Sequence, residues 1–235
     1  MQPCNILIGC DQSYYEQWAI NLIKSIRHFN PFVQCHVHIV NPGNYQKIPN
    51  VEYTTENINF PNEDVRIGYL QSVRFLKVAE KFSDKDLVMT LDADTICTRS
   101  FTPNDFIQTA NKITCLRHLK DHHWLAGMVT FGQKGFKKQF RKLLMEKPIE
   151  DWKPFHDQEV LDTLSTKYKF NEQPRTLFWM SIGKNGNSSV FLTLKGNQKT
   201  KDKYLKLIPH AWKLLESRME SDVFSELKKK MGNEK

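Results

Sequence analysis

The chain has 235 residues, 40% of them hydrophobic, and a formal charge of +8; one compact domain over 1–235 with a full core is the natural expectation, since two domains would be cramped. Its five cysteines (Cys4, Cys10, Cys35, Cys97, Cys115) are scattered without a CxxC pair, which argues against a zinc or dithiol centre and fits a reducing compartment. No apolar run approaches the roughly 20 residues needed to span a bilayer, and MQPCNILIGC lacks the charged and extended apolar regions of a signal peptide, so a soluble, cytoplasmic protein is expected.

In chain order the pattern alternates between strand and helix. NILIGC (Asn5 to Cys10) reads as a short apolar strand stopping near Gly9, and QWAINLIKSIRHF places Trp18, Leu22, Ile23 and Ile26 at helical spacing before Asn30 and Pro31 end it. CHVHIVN follows as a second strand closed by Pro42 and Gly43, completing a βαβ unit that favours a parallel sheet. Its His36 and His38 share one strand face, a spacing that strand packing explains or that a third ligand would turn into a metal site. YLQSVRFLKVAEKF then reads as a helix and DLVMTL as a buried strand. The fold class is therefore α/β, a mostly parallel sheet flanked by helices. In such sheets ligands bind beyond the carboxyl ends of the strands.

Asp92 and Asp94 stand at such an end, in LDADT, where neither carboxylate is easily buried. Acids at i and i+2 leaving a strand converge on one divalent cation, and hard oxygen ligands suit magnesium or manganese. The alternative is a solvated turn in which an aspartate caps the next segment. Neither a Walker lysine loop nor G-x-G-x-x-G occurs, so nucleoside triphosphate hydrolysis and dinucleotide chemistry have no support.

The positive charge is concentrated late. From Gly183 to Lys235 there are 12 Lys/Arg against 6 Asp/Glu, with much of the surplus in KGNQKTKDKYLK; it predicts contact with phosphates, an anionic membrane or nucleic acid, or else a solvated face. From about residue 209 to 235 a basic helix is expected, with Leu215, Met219, Phe224 and Leu227 near one face and Lys228, Lys229 and Lys230 at its end. Core packing of that face and weak peripheral membrane contact are the two readings.

Five stretches in order, CDQSYYEQWAINLIKSI, YLQSVRFLKVAEKF, LVMTLDADTICTRSFTP, WLAGMVTFG and HDQEVLDTL, with a weaker sixth in FLTLKGNQK, resemble the retaining, nucleotide-sugar-dependent glycosyltransferases of the GT-A fold. The group is that of glycogenin and the bacterial lipooligosaccharide galactosyltransferases, glycosyltransferase family 8. The resemblance implies a hexosyltransferase that moves a sugar from a nucleoside diphosphate sugar, expected to be a UDP-sugar, to an acceptor hydroxyl on a glycan, lipid-linked glycan or protein, with retained configuration. It implies Mn2+ or Mg2+ on Asp92 and Asp94.

The same resemblance places Tyr14 and Tyr15 where the family stacks a tyrosine on the nucleotide base, and Asp11 where a carboxylate bonds the base or ribose. Arg74 corresponds to an arginine reaching the diphosphate and donor sugar. Ala126 and Gly127 match a small-residue turn against the sugar, with Leu125 in place of the family's asparagine. Asp157 and Gln158 match the catalytic pair, the acid gripping sugar hydroxyls and the amide lying beneath the anomeric carbon; an N-capping Asp157 is the competing explanation. Gly196 and Lys199 match a diphosphate-binding loop, assisted by Lys201, but Thr193 stands where the family has a metal-ligating histidine, for which His210 is a conceivable substitute. His122 and His123 precede the small-residue turn, and either face an acceptor or are merely exposed. Two rival readings remain, a catalytically silent binder of sugar nucleotides or glycans and a basic nucleic-acid-binding module, although the expectation is no nucleic acid.

Overall fold

The computed structural model describes residues 3–118, 122–174, 176–179, 189–193, 213, 215–222 and 224–225. The chain opens with β1 (Cys4–Asp11), a single helical turn α1 (Gln12–Tyr14), a π-helical stretch (Tyr15–Ala19) and α2 (Ile20–Phe29). β2 (Val33–Val40), β3 (Glu52–Glu56), α3 (Glu63–Lys81), β4 (Val88–Leu91), β5 (Thr95–Cys97) and α4 (Pro103–Ala110) follow. The remainder comprises β6 (Ile113–Arg117), β7 (Trp124–Thr130), α5 (Phe136–Leu144), α6 (His156–Ser165), β8 (Phe170–Glu172), β9 (Phe178–Trp179) and β10 (Phe191–Thr193).

The main sheet has seven strands in the order β3-β2-β1-β4-β7-β6-β8. All neighbours pair in parallel except β7, which runs antiparallel to both β4 and β6. Both faces are covered, as the near-continuous apolar strands require. Ile6 and Ile8 of β1 pack with Ile23 and Ile26 of α2 in one cluster. Leu7, on the opposite face, joins Val73 and Phe75 of α3, Phe140 of α5 and Leu161 of α6 in the other. A small second sheet, β5-β10-β9, follows the corner after β4. All five cysteines are buried free thiols, and burial pushes Cys35 and Cys97 up to about 12.

α3 is the longest described helix, and its sequence explains its start. Asn62 accepts a hydrogen bond from the Val65 amide at 3.0 Å, and Glu63 and Asp64 complement the helix dipole in the first turn. Gly68 is required by packing: a Cβ there would stand 2.6 Å from the Lys153 carbonyl oxygen. The loop leading to α6 is therefore able to rest directly on α3.

A polar network ties α3 to the sheet edge. Glu56 accepts from the Tyr69 hydroxyl at 2.5 Å and pairs with Lys77 at 3.0 Å and His38 at 3.1 Å. His36 meets Asn5 at 3.0 Å and Glu52 at 3.3 Å, so both strand histidines are engaged in packing partnerships. Burial alone would raise the Glu56 pKa, but the hydrogen bonds from His38, Tyr69 and Lys77 outweigh it and hold the group at about 2, below its ordinary 4.5. A depressed folded pKa gives stability that is present above the unfolded value and is lost as pH falls from about 4.5 towards 2. Glu56→Gln is expected to destabilise the fold by roughly 2–3 kcal/mol at neutral pH. Urea titrations across that pH window should show the gap between variant and wild type closing by about pH 2.

At the C-terminal side, Leu215, Met219 and Phe224 are buried, and Arg218 Nη1 donates to the carbonyl and hydroxyl oxygens of Thr98, each at 3.1 Å. Three members of the expected apolar face, Leu215, Met219 and Phe224, thus pack on the protein, and Leu227 lies outside the described residues. Lys228 to Lys230 lie outside the described residues. No described helix is long and apolar enough to cross a membrane.

Candidate active site

The strand order reverses between β1 and β4, and a cavity of about 270 Å³ opens beyond their carboxyl ends. β1 contributes Gly9, Cys10 and Asp11, the corner after β4 contributes Asp92, Ala93 and Asp94, and α3 contributes Arg66, Ile67, Leu70, Gln71 and Arg74. Tyr14 completes the lining.

Asp92 and Asp94 are buried, at 3% and 7% exposure, contrary to the expectation of solvated carboxylates. For Asp92 the reason is Arg74, itself 2% exposed, whose Nη2 lies 2.8 Å from Asp92 Oδ1 and 3.5 Å from Asp157 Oδ2 and donates to the Ala126 carbonyl at 2.9 Å. One guanidinium nitrogen thereby joins the end of β4, strand β7 and the first turn of α6. Its Nε is buried with no hydrogen-bond partner among the described residues. The Asp92 amide donates to Gly127 O at 2.9 Å, and a Cβ on Gly127 would stand 3.0 Å from Asp92 Oδ2. A side chain at that position would crowd the carboxylate.

Asp157 is not the N-cap of α6. It is the second residue of the helix, 2% exposed, and its Oδ1 accepts from the Gln158 amide at 2.9 Å. Asp157 is thus drawn to Arg74 by an ion pair instead of being held outside as a cap.

The two tyrosines separate. Tyr14 is 46% exposed and lines the cavity, whereas Tyr15 is fully buried, donating to Gln46 O at 2.6 Å and meeting the Tyr53 hydroxyl at 2.8 Å. Tyr15 is a core residue, and its placement in the binding set is corrected accordingly. Asp11 lines the cavity with Oδ1 accepting from the Tyr14 amide at 2.9 Å and Oδ2 from Arg66 at 2.7 Å. Arg66 and Gln71 were not anticipated. Arg66 stands eight residues before Arg74, about two helical turns, a spacing that puts both arginines near one face.

The second sheet sets Thr193 opposite Thr95 and brings its hydroxyl to Asp94 Oδ1 at 3.4 Å. The hydroxyl therefore stands beside Asp94, at the position where the resemblance expects an imidazole. The resulting donor set is all oxygen, two carboxylates and one hydroxyl, which fits a hard divalent cation. Among the described residues there is no cluster of three His, Cys, Asp or Glu groups to hold a metal. Gly196, Lys199, Lys201 and His210 lie outside the described residues. His123 meets Asp162 Oδ2 at 2.5 Å, and His122 adopts φ 60° in the turn before β7.

No protein-family model and no curated protein matches the chain. Solved structures do. The galactosyltransferase LgtC, crystallised with donor and acceptor sugar analogues, superposes with a TM-score of 0.56 at 15% identity, covering 93% of this chain and 98% of LgtC. The glycosyltransferase GlyE of Streptococcus pneumoniae TIGR4 gives 0.58 at 14% identity, covering 98% of this chain and 64% of GlyE. The bifunctional glycosyltransferase WbbM gives 0.56 at 13%, over 92% of this chain and 52% of WbbM. The chain has the mixed α/β fold of these glycosyltransferases, the GT-A architecture expected from its ordered motifs.

Proposed function

We propose that the chain is a glycosyltransferase that moves a sugar from a nucleoside diphosphate sugar, a UDP-sugar by resemblance, to an acceptor hydroxyl with retention of configuration. The observation that carries this reading is the cluster of Asp92, Arg74 and Asp157 at the cavity beyond β1 and β4. It supplies buried charge of both signs where a sugar diphosphate would lie in a fold of this kind.

Each side chain has a task that its surroundings suit. Tyr14, exposed at the cavity wall, offers a flat face for the base, and Asp11, fixed by an amide and Arg66, offers carboxylate oxygens to base or ribose. Gly127 and Ala126 leave room for the sugar. Asp157 accepts hydrogen bonds from its hydroxyls, and Gln158 lies beside it for the reacting carbon. As the bond from the anomeric carbon to the diphosphate breaks, the acceptor oxygen bonds to that carbon and its proton passes to the leaving phosphate oxygen. Arg74 provides fixed positive charge near the developing anion. Asp92 and Asp94, with the Thr193 hydroxyl adjacent, would hold Mn2+ or Mg2+. Bound there, the ion would supply Lewis-acid neutralisation of the diphosphate.

Thr193 favours one second reading, a silent sugar-nucleotide or glycan binder, because a hydroxyl is a weaker metal ligand than imidazole. A thermal-shift screen of nucleoside diphosphate sugars with and without manganese tests the shared premise of both readings. Stabilisation by at least one sugar nucleotide, larger with manganese, is expected. A flat response to the whole panel would remove the donor site.

A further inference from the structure

The exposed face of α5 carries positive charge that the donor site does not use. From Lys134 to Lys147 there are six cations against one acid, Glu146. Lys137 belongs to the interior: it is buried, and its amine donates to the carbonyl oxygens of Ser83 at 2.5 Å and Asp86 at 2.7 Å. Lys134, Lys138, Arg141 and Lys142 are exposed. At about 100° per residue, Lys138, Arg141, Lys142 and Met145 fall within an arc of about 100°. The buried Phe136 and Phe140 stand on the opposite side of the helix, and Lys134 lies just ahead of it.

The fold gains little from this stripe. α5 starts at Gly135 with no side-chain cap and no acid in its first turn, so Lys138 there opposes the helix dipole. Lys138 and Lys142 stand four residues apart, where like charges repel. Arg141 reaches a carboxylate of Glu80 at 3.8 Å while its side chain stays 49% exposed. Lys134, Lys138 and Lys142 make no ion pair or side-chain hydrogen bond with any described residue. Cations held where they weaken the helix, with no internal counter-charge, fit an external polyanion.

Met145 identifies the polyanion. It is 43% exposed, a flexible apolar side chain at the end of a basic stripe, and that pairing is how a helix rests on a charged lipid surface. A nucleic acid strand is met by exposed aromatic side chains on which its bases stack, whereas the aromatic residues of α5 are buried on its other side.

We propose that this face of α5 docks the protein on an anionic lipid surface, with Lys134, Lys138, Arg141 and Lys142 against the headgroups and Met145 between them. The docking is independent of the donor site: β7, which leads into α5, runs antiparallel to β4, so α5 starts at the end of the sheet remote from the cavity. It is distinct also from the Lys228 to Lys230 cluster near the C-terminus.

Co-sedimentation of the full chain with phosphatidylcholine vesicles, with and without phosphatidylserine, at low and high salt tests the proposal. Binding is expected with the anionic lipid at low salt and is lost at high salt, where the charges are screened. Changing Lys134, Lys138 and Lys142 together to alanine should lower the partition coefficient roughly 100-fold, about fivefold per lysine, with the melting temperature unchanged. The triple alanine variant at Lys228, Lys229 and Lys230 should keep most of the binding. Absence of binding to anionic vesicles at low salt, equal binding to neutral ones, or equal partition of wild type and the α5 variant overturns the proposal. A second measurement places the helix itself. All five native cysteines are buried, so Met145→Cys accepts an environment-sensitive fluorophore selectively, and its emission should shift to the blue on anionic vesicles. An unchanged spectrum while the protein pellets with the vesicles would put another surface against the lipid and overturn the assignment to α5. Neither measurement involves sugar transfer, so a chain that turns over no sugar nucleotide would lose the transferase reading and keep the docking face.

Discussion

Arg74→Met is expected to produce the largest loss of stability of any single change in the site, about 3–5 kcal/mol, because it strips the cation from between two buried carboxylates. Asp92 and Asp157 are 3% and 2% exposed and face the same guanidinium nitrogen at 2.8 and 3.5 Å. Methionine fills much of the volume but leaves both acids uncompensated, and the Ala126 carbonyl loses its 2.9 Å donor. For a chain of this size each kcal/mol moves the melting temperature by about 2–4 °C, so a fall of roughly 10 °C should be visible by calorimetry. Arg74→Lys, which keeps the charge but on a shorter side chain that does not carry it to the position of Nη2, should fall between them. A melting temperature for Arg74→Met within about 1 °C of wild type would show that the bracket contributes little.

Asp94→Asn is expected to be the largest purely functional loss, with metal-stimulated turnover falling by about three orders of magnitude and stability changing by less than about 1 kcal/mol. The 3.4 Å hydrogen bond from Thr193 to Asp94 is one that an amide oxygen can still accept. Asp92→Asn should lose as much activity and also about 1–3 kcal/mol of stability, since it weakens the ion pair with Arg74. The two aspartates look equivalent in LDADT, but the structure separates them, since Asp92 pairs with Arg74 and Asp94 meets Thr193. Parallel assays of nucleoside diphosphate release and urea unfolding distinguish the two outcomes. Full activity in both asparagine variants would end the metal assignment.

Much of the architecture was legible in the residues because it depends on local periodicity. The apolar runs of β1, β2 and β4 and the helical spacing in α3 each identify themselves, and the βαβ succession implies the parallel order and the position of the cavity. What failed depended on long-range contacts or unusual winding. The helix after β1 was read as one regular segment, but it contains π-helical Tyr15–Ala19, which a 3.6-residue period does not reveal. Tyr14 and Tyr15 are adjacent in sequence, so only the winding decides which faces the cavity and which bonds Gln46 and Tyr53. The burial of Asp92 was misjudged for a similar reason: its partner lies 18 residues earlier, on a helix whose facing depends on the packing of Gly9 against Val73 and Arg74. β5 and β10, three residues each, are too short to announce themselves. Yet together they bring Thr193 to Asp94, a proximity visible beforehand only through resemblance.

Nucleoside diphosphate release from a panel of sugar nucleotides, measured with and without manganese and with and without saccharide acceptors, tests the central claim most directly. At least one donor should be consumed in a manganese-dependent manner, faster with an acceptor present, and the proton NMR spectrum of the product should show the donor's anomeric configuration retained. Tight binding of a sugar nucleotide with no release under any combination would contradict the account and leave a binder in the fold of an enzyme.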